Sequence, residues 1–401
     1  MNYIFSDKIA NLKPSAIREI LKAPSDAETI SFAAGNPSSD AFPVEDLAAL
    51  SAEIYRDEPV KALQYSVSDG YGPLREAVSK RQREVFGIGR DFDTTIIVSG
   101  GQQGIELLCK VLCNEGDTVI VETPSFVGAL NAFRSCGART VGVPLDPDHS
   151  GINIEALEET LKREKRARIL YLIPTFQNPA GTTMIEAKRH KVYELCRKYG
   201  VIILEDNPYG ELRFAGTEVP TIKSFDEEGL VVYCSSFSKI LSPGIRVGFI
   251  VAPDPIAQKM VVAKQSEDVH TNIFFQILCY KYMTERDLDG HIRKLRDLYR
   301  HKCGLMLKEL EKDLPKEISF TRPEGGLFVW CTLPEEVDAT AFIKACMDKK
   351  LRIVPGVTFN ADTEAPSNCF RLNYSTPSDE QIVEGCRRLG NVARLFIKDS
   401  K

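Results

Sequence analysis

The 401-residue chain has no run of about 18 uninterrupted apolar residues, so no membrane-spanning helix is expected. It has no excess of positive charge: 51 Lys and Arg against 56 Asp and Glu leave a net charge of −5, which provides no electrostatic footprint for nucleic acid. Its five histidines are scattered and form no H-E-x-x-H. There is no C-x-x-C, and eleven cysteines are too dilute, and odd in number, for a disulfide scaffold. Cys109 and Cys113 lie four apart on a predicted helix, but no histidine stands near to complete a metal set. They read as small core residues on one face, and no metal is expected. Met1 to Asn11 lacks a signal-peptide pattern, and neither repeats nor low-complexity segments occur. What remains is an ordinary globular composition, 43% hydrophobic and 27% charged, with length for a large core and two domains. A cytoplasmic protein is expected.

One stretch organises the rest. Leu230-Val231-Val232-Tyr233-Cys234 reads as a buried strand, and Val247 to Val251 as another. Between them lies Ser235-Ser236-Phe237-Ser238-Lys239-Ile240-Leu241-Ser242-Pro243-Gly244-Ile245-Arg246. Pro243-Gly244 forces a turn. A lysine at the end of a buried strand is costly unless it has a partner or a task. The stretch reads either as a solvated loop with two ordinary cations, or as a Schiff-base lysine with hydroxyls and an arginine that hold a cofactor's phosphate.

Upstream, residues 1–45 read as an arm, with a short helix from Pro14 to Ala23 and a tight turn at Gly35-Asn36-Pro37. Pro73 starts a helix that runs to about Phe86, and Tyr65 reads as a loop tyrosine. From Thr95 the pattern is strand, loop, helix, repeated. Ser99-Gly100-Gly101-Gln102-Gln103-Gly104 joins a strand to a helix, where backbone N–H groups approach an anion or simply make a tight turn. Further strands end before Phe126, before Gln177-Asn178-Pro179 and before Asp206-Asn207-Pro208-Tyr209. This alternation predicts an α/β fold with a mostly parallel sheet covered on both faces. Asn178, Asp206 and Lys239 then fall just beyond the C-terminal ends of strands, the edge where open α/β sheets bind ligands. Beyond Val251, helices over Ile256–Met283 and Arg286–Lys312, strands near Phe328 and Phe370, and helices near 339–349 and 379–397 predict a smaller α+β domain. The expected division is an arm (1–45), a large domain (46–284) and a small domain (285–401).

The ordered set Gly-Gly-Gln, Asn-Pro-Ala-Gly, Asp-Asn-Pro-Tyr, Ser-Phe-Ser-Lys with a following arginine, and Phe-Arg-Leu resembles the class I/II aminotransferases of fold type I, which use pyridoxal 5′-phosphate (PLP). The resemblance covers nearly the whole chain. The arm around Arg18 and the Gly35-Asn36-Pro37 segment resemble the kynurenine/2-aminoadipate (aromatic) aminotransferase subgroup.

The resemblance implies that Lys239 carries PLP and moves a proton as a base, while Asp206 pairs with the pyridinium nitrogen. It implies that Asn178 and Tyr209 bond the ring's phenolic oxygen and that Phe126 stacks on the ring. Gly101, Gln102, Ser236, Ser238 and Arg246 would hold the phosphate, with Tyr65 reaching it from the neighbouring subunit of a homodimer with shared sites. Arg371 would clamp the substrate carboxylate, with Gly35 and Asn178 lining its pocket and Arg18 touching the substrate side chain. At Gly101 many relatives carry a hydroxyl residue, so only a backbone N–H serves here. The implied reaction moves an amino group from an aromatic, 2-aminoadipate-like or other L-amino acid to a 2-oxo acid, 2-oxoglutarate first, by ping-pong exchange. A C–S β-lyase on the same fold is the alternative, since PLP stabilises the same carbanion in both. A PLP-sensing regulatory domain would need a basic DNA-binding module ahead of the arm, and none precedes it in this sequence.

Overall fold

The computed structural model describes residues 3–10, 12, 20 and 28–398. Its strands are β1 (Ile30–Ser31), β2 (Asp93–Val98), β3 (Thr118–Thr123), β4 (Arg139–Pro144), β5 (Ala167–Leu172), β6 (Ile202–Asp206), β7 (Val231–Ser236), β8 (Gly248–Pro253), β9 (Ser319–Phe320), β10 (Phe328–Thr332), β11 (Leu351–Arg352), β12 (Val354–Pro355) and β13 (Cys369–Asn373). Seven of them form one sheet in the order β2-β8-β7-β6-β5-β3-β4. Only β8 runs antiparallel to its neighbours. The sheet is covered on both faces, and its strands show it residue by residue. Val119, Val121, Ile169 and Tyr171 pack under the helices Gly101–Leu112 and Val127–Ser135. Their neighbours Ile120, Leu170 and Leu172 face the helices Ile154–Arg163 and Glu186–Tyr199. Strands buried on both sides need no polar alternation, which is why they read as continuous apolar runs.

The antiparallel β8 matters for function. Antiparallel neighbours need no crossover helix, so β7 returns into β8 through residues 237–247 on the sheet edge where the parallel strands end. Lys239 and Arg246 sit in that return.

The long helix Leu288–Asp313 leads to a four-stranded antiparallel sheet, β12-β13-β10-β9, with the helices Ala339–Asp348 and Asp379–Lys398. β1 pairs in parallel with β11, Ile30 opposite Leu351, which ties the N-terminal segment to this second sheet. Among the described residues no helix is long and apolar enough to cross a membrane.

Two expectations change. Gly35-Asn36-Pro37 makes no turn: residues 32–38 follow an irregular course without turn or bend. Cross-links hold them so, with the carbonyls of Phe32, Gly35 and Asn36 accepting from Asn373 N–H, Lys239 Nζ and Ser375 Oγ. The helix expected over Ile256–Met283 is two helices, Asp254–Gln265 and Ile273–Glu285, with a break at 266–272. Val269 in that break has φ of 65°, a left-handed conformation that no α-helix contains. The helix expected from Pro14 to Ala23 lies outside the described residues, except for helical Ile20.

Candidate active site

The first part of the site is a cradle at the Gly100–Gly101 turn. Gly100, at φ 82°, precedes the helix Gly101–Leu112, and no side chain caps that helix. Its first N–H groups and its dipole therefore face outward. The turn tolerates nothing bulkier: a Cβ on Gly100 would lie 2.3 Å from Arg246 Nη2, and one on Gly248 would lie 2.9 Å from Gly101 N. Arg246 donates to the Ser99 carbonyl at 3.1 Å and is held at φ 55° by the Pro243–Ile245 turn. A non-glycine residue at such a φ is costly, and the surrounding structure must impose it. Ser236 Oγ lies 2.7 Å from Ser238 Oγ and accepts the Ser238 N–H at 3.0 Å. Gln102 turns its amide to the Gly128 carbonyl at 2.8 Å, beside Phe126. Backbone N–H groups, two hydroxyls and a guanidinium thus converge, and among the described residues Arg246 has no carboxylate within ion-pair distance. Such a cradle fits a phosphate.

Next to it stands Asp206, the last residue of β6. Burial pushes its carboxyl up from 3.8 to about 7, while the Tyr171 hydroxyl, donating to Oδ2 at 2.7 Å, pulls the other way. One carboxylate oxygen is thereby occupied and the other is left for a cationic partner, as a pyridinium nitrogen would be. Tyr209 is buried, and its phenol is pushed up by burial. Asn178 Nδ2 reaches its hydroxyl at 3.5 Å.

The third part is cationic. Lys239 Nζ donates to the Gly35 carbonyl at 2.8 Å. Burial, with Arg371 and Arg246 adding repulsion, lowers its pKa from 10.5 to about 8. Arg371, in the middle of β13, is 2% exposed. Its Nη1 donates to Asn178 Oδ1 at 2.9 Å, its Nη2 to the Ala33 carbonyl at 3.0 Å, and its Nε to nothing. The guanidinium stacks on Phe328, 4.1 Å from the ring centre, with Phe359 at 5.0 Å. Burial lowers its pKa to about 10, and no carboxylate of the described residues pairs with it. A buried cation supported only by neutral acceptors and ring faces is ready for an anion from outside.

Arg371, Asn178 and Tyr209 are thus linked by short contacts, as are Lys239 and Gly35, with Asp206, Gly101, Gln102, Phe126, Ser236, Ser238 and Arg246 along the same sheet edge. Tyr65 is not drawn in: it is 81% exposed, its ring edge-on to His270. Arg18 lies outside the described residues. Sequence reasoning missed Tyr171, Phe328, Phe359 and the Ala33 carbonyl. The first had a signal, a tyrosine inside the aliphatic run Ile169-Leu170-Tyr171-Leu172-Ile173, where a buried hydroxyl needs a partner.

The family model for aminotransferase class I and II matches residues 27–389. Aromatic-amino-acid aminotransferase 1 of Thermococcus litoralis is 41% identical over 398 residues, covering 98% of this chain and 95% of the relative. The 2-aminoadipate transaminase of Thermus thermophilus is 38% identical over 393 residues, covering 97% and 96%. The crystal structure of Pyrococcus horikoshii kynurenine aminotransferase, solved with PMP, superposes with a TM-score of 0.93 at 38% identity, covering 98% of this chain and 97% of that one.

Proposed function

This chain belongs to the class I and II aminotransferases, and we propose that it moves the amino group of an aromatic or 2-aminoadipate-like L-amino acid to 2-oxoglutarate by ping-pong exchange. It is a PLP-dependent transaminase of fold type I. PLP, when bound, supplies the electron sink that makes the substrate Cα proton acidic. In our reading the chain does the rest. The Gly101–Gln102 N–H groups, Ser236, Ser238 and Arg246 hold the phosphate. Asp206 would pair with the ring nitrogen, Asn178 and Tyr209 would bond the phenolic oxygen, and Phe126 would stack on the ring. Lys239 binds the cofactor and then carries the proton at the substrate Cα. The subgroup preference is supported by relatives named for aromatic amino acids, 2-aminoadipate and kynurenine. The division into an arm (1–45), a large domain (46–284) and a small domain (285–401) remains our proposal, as does a cytoplasmic location.

The observation that carries this reading is Arg371, a buried guanidinium with a bare Nε and no acidic partner. Its planar fork matches the α-carboxylate shared by amino and oxo acids. The test mixes the PLP form with each amino acid singly and follows the loss of its visible absorbance. Aromatic amino acids and 2-aminoadipate are expected to react fastest. In Arg371→Leu the same reactions should lose roughly 100-fold in kcat/KM, while an amine without a carboxylate changes little. Equal losses for both would make Arg371 structural.

We further read the enzyme as a homodimer. Tyr65 lies in a segment with Val60, Leu63 and Val67 exposed at 76%, 73% and 57%, an apolar patch of the kind that partner surfaces cover. By the resemblance, Tyr65 would reach the phosphate of the partner's site. In hybrids of Lys239→Met and Tyr65→Ala chains, one site would then unite an intact Lys239 with an intact Tyr65. A PLP titration should recover one tight site that Tyr65→Ala homodimers lack. Weak binding alone would mean that Tyr65 serves its own chain or neither.

A further inference from the structure

The break between the helices Asp254–Gln265 and Ile273–Glu285 holds a polar cluster built on the buried Lys264 and Thr271, which reaches the residues assigned to PLP only through Ser99. All of that residue's polar groups are engaged. Its N–H donates to Gln103 Oε1 at 2.8 Å. Its hydroxyl lies 2.6 Å from Asp268 Oδ2 and 3.1 Å from Thr271 Oγ1. Its carbonyl accepts from Arg246 Nη2 at 3.1 Å. The three side chains on its N–H and hydroxyl share one further partner. Lys264, which is 0% exposed, donates to Gln103 Oε1 at 2.9 Å, to Asp268 Oδ1 at 2.7 Å and to Thr271 Oγ1 at 3.0 Å. Its ammonium is the hub of a tripod standing on Ser99.

We infer that Lys264 and Asp268 are positioning residues for the phosphate cradle: they fix Ser99, and through it the Gly100–Gly101 turn, so that the first N–H groups of the helix and Arg246 stay aimed at one point. This rests on the reading of that turn as the phosphate site. The physical ground is the cost of the arrangement. A fully buried ammonium is tolerated only with every donor satisfied, and all the groups that satisfy Lys264 are groups that hold Ser99. Burial lowers the Lys264 pKa, and the hydrogen bond to Asp268 opposes this. Gly100 gives the turn backbone freedom, so its geometry has to be set from outside, and Ser99 is where the chain provides it.

The test compares holoenzyme variants by the rate of PLP release on dilution and by the ³¹P resonance of bound PLP. Lys264→Met is expected to release PLP at least about tenfold faster and to shift or broaden the phosphorus line. Ser99→Ala, which removes one hydroxyl and disturbs packing least, is expected to give about threefold faster release. Lys223→Met is the control for lost stability. Lys223 is equally buried and bonds Asp93 at 2.7 Å and Asp226 at 2.9 Å, so its removal should lower Tm and leave release and resonance alone. Parent-like behaviour of Lys264→Met overturns the inference, as does an equal response from Lys223→Met. If Lys264→Met does not fold, parent-like Ser99→Ala overturns it. Arg246→Ala separates the two levels. If it speeds release while Lys264→Met does not, only the inference fails. If Arg246→Ala is also silent, the phosphate reading fails and the inference falls with it.

Discussion

Lys239→Met is expected to lower amino transfer by about 10,000-fold, since the variant loses both the covalent hold on PLP and the base that moves the proton. Borohydride reduction of the parent should fix PLP on the peptide containing Lys239, and the variant should take up none covalently. A cofactor found on another lysine would end this assignment. The same variant makes a second, independent prediction about the PLP-free chain. Burial, with help from Arg371 and Arg246, holds the Lys239 pKa near 8, against 10.5 for the exposed side chain. Between those values the unfolded chain binds a proton that the folded chain does not, so stability rises with pH across that window. Below about pH 8 the folded chain bears the full cost of a buried ammonium. PLP-free Lys239→Met should therefore resist urea better than the PLP-free parent below pH 8, with the advantage fading by about pH 10.5. Loss of the bond to Gly35 takes back about 1 kcal/mol at every pH, so the readout is the slope, not the size of the gap. A gap independent of pH would mean that Lys239 titrates normally in the fold.

What the sequence disclosed of this site follows from how each feature is encoded. Lys239, Asp206 and Asn178 were legible because each lies in or just beyond an apolar strand, where a polar residue stands out and its neighbours in sequence are also its neighbours in space. Arg371 was visible as a charge inside a strand, but its partners were not. The Ala33 carbonyl has no side-chain signature, and nothing in the sequence sets Phe328 and Phe359 apart from other phenylalanines. The break at 266–272 was hidden for a different reason. Apolar residues continue at helical intervals through Val269, yet the helix ends at Gln265 and Val269 takes a left-handed φ of 65°. The signals that were present, Asn272 as a cap whose side chain accepts from Phe275 N and the polar run Ser266-Glu267-Asp268, were outweighed by that periodicity. The absence of a turn in 32–38 was missed because glycine and proline mark turns only when nothing else holds the backbone. Here three of its carbonyls are bonded to Asn373, Lys239 and Ser375.

Asp206→Ala is expected to retain PLP on Lys239 but to slow proton removal from the substrate by about 1,000-fold, because a positioned counter-charge acting in a dry site is lost. Near-parent turnover would sink the assignment. Tyr171 sharpens the test. Asp206 is held up near 7 by burial, and the Tyr171 hydroxyl is the group that opposes this by donating to its carboxylate. Tyr171→Phe should therefore raise the Asp206 pKa further in the PLP-free chain. The sign follows from proton counting. From pH 3.8 to about 7 the folded chain keeps a proton on Asp206 that the unfolded chain has released, so this group makes stability fall as pH rises. In Tyr171→Phe that fall should extend to higher pH, and in Asp206→Ala its contribution should vanish. In the holoenzyme the pyridinium supplies the charge that the carboxylate lacks in the empty fold, so Tyr171→Phe should keep PLP and lose only about tenfold in the proton-transfer step. If Tyr171→Phe and Asp206→Ala proved equally slow, the carboxylate would be acting through the tyrosine, not on the ring nitrogen. Asp206, Lys239 and Arg371 all have their charged forms opposed by burial. A site built this way gains most when a ligand brings the missing partners, namely a ring cation for Asp206 and anions for the lysine and arginine side.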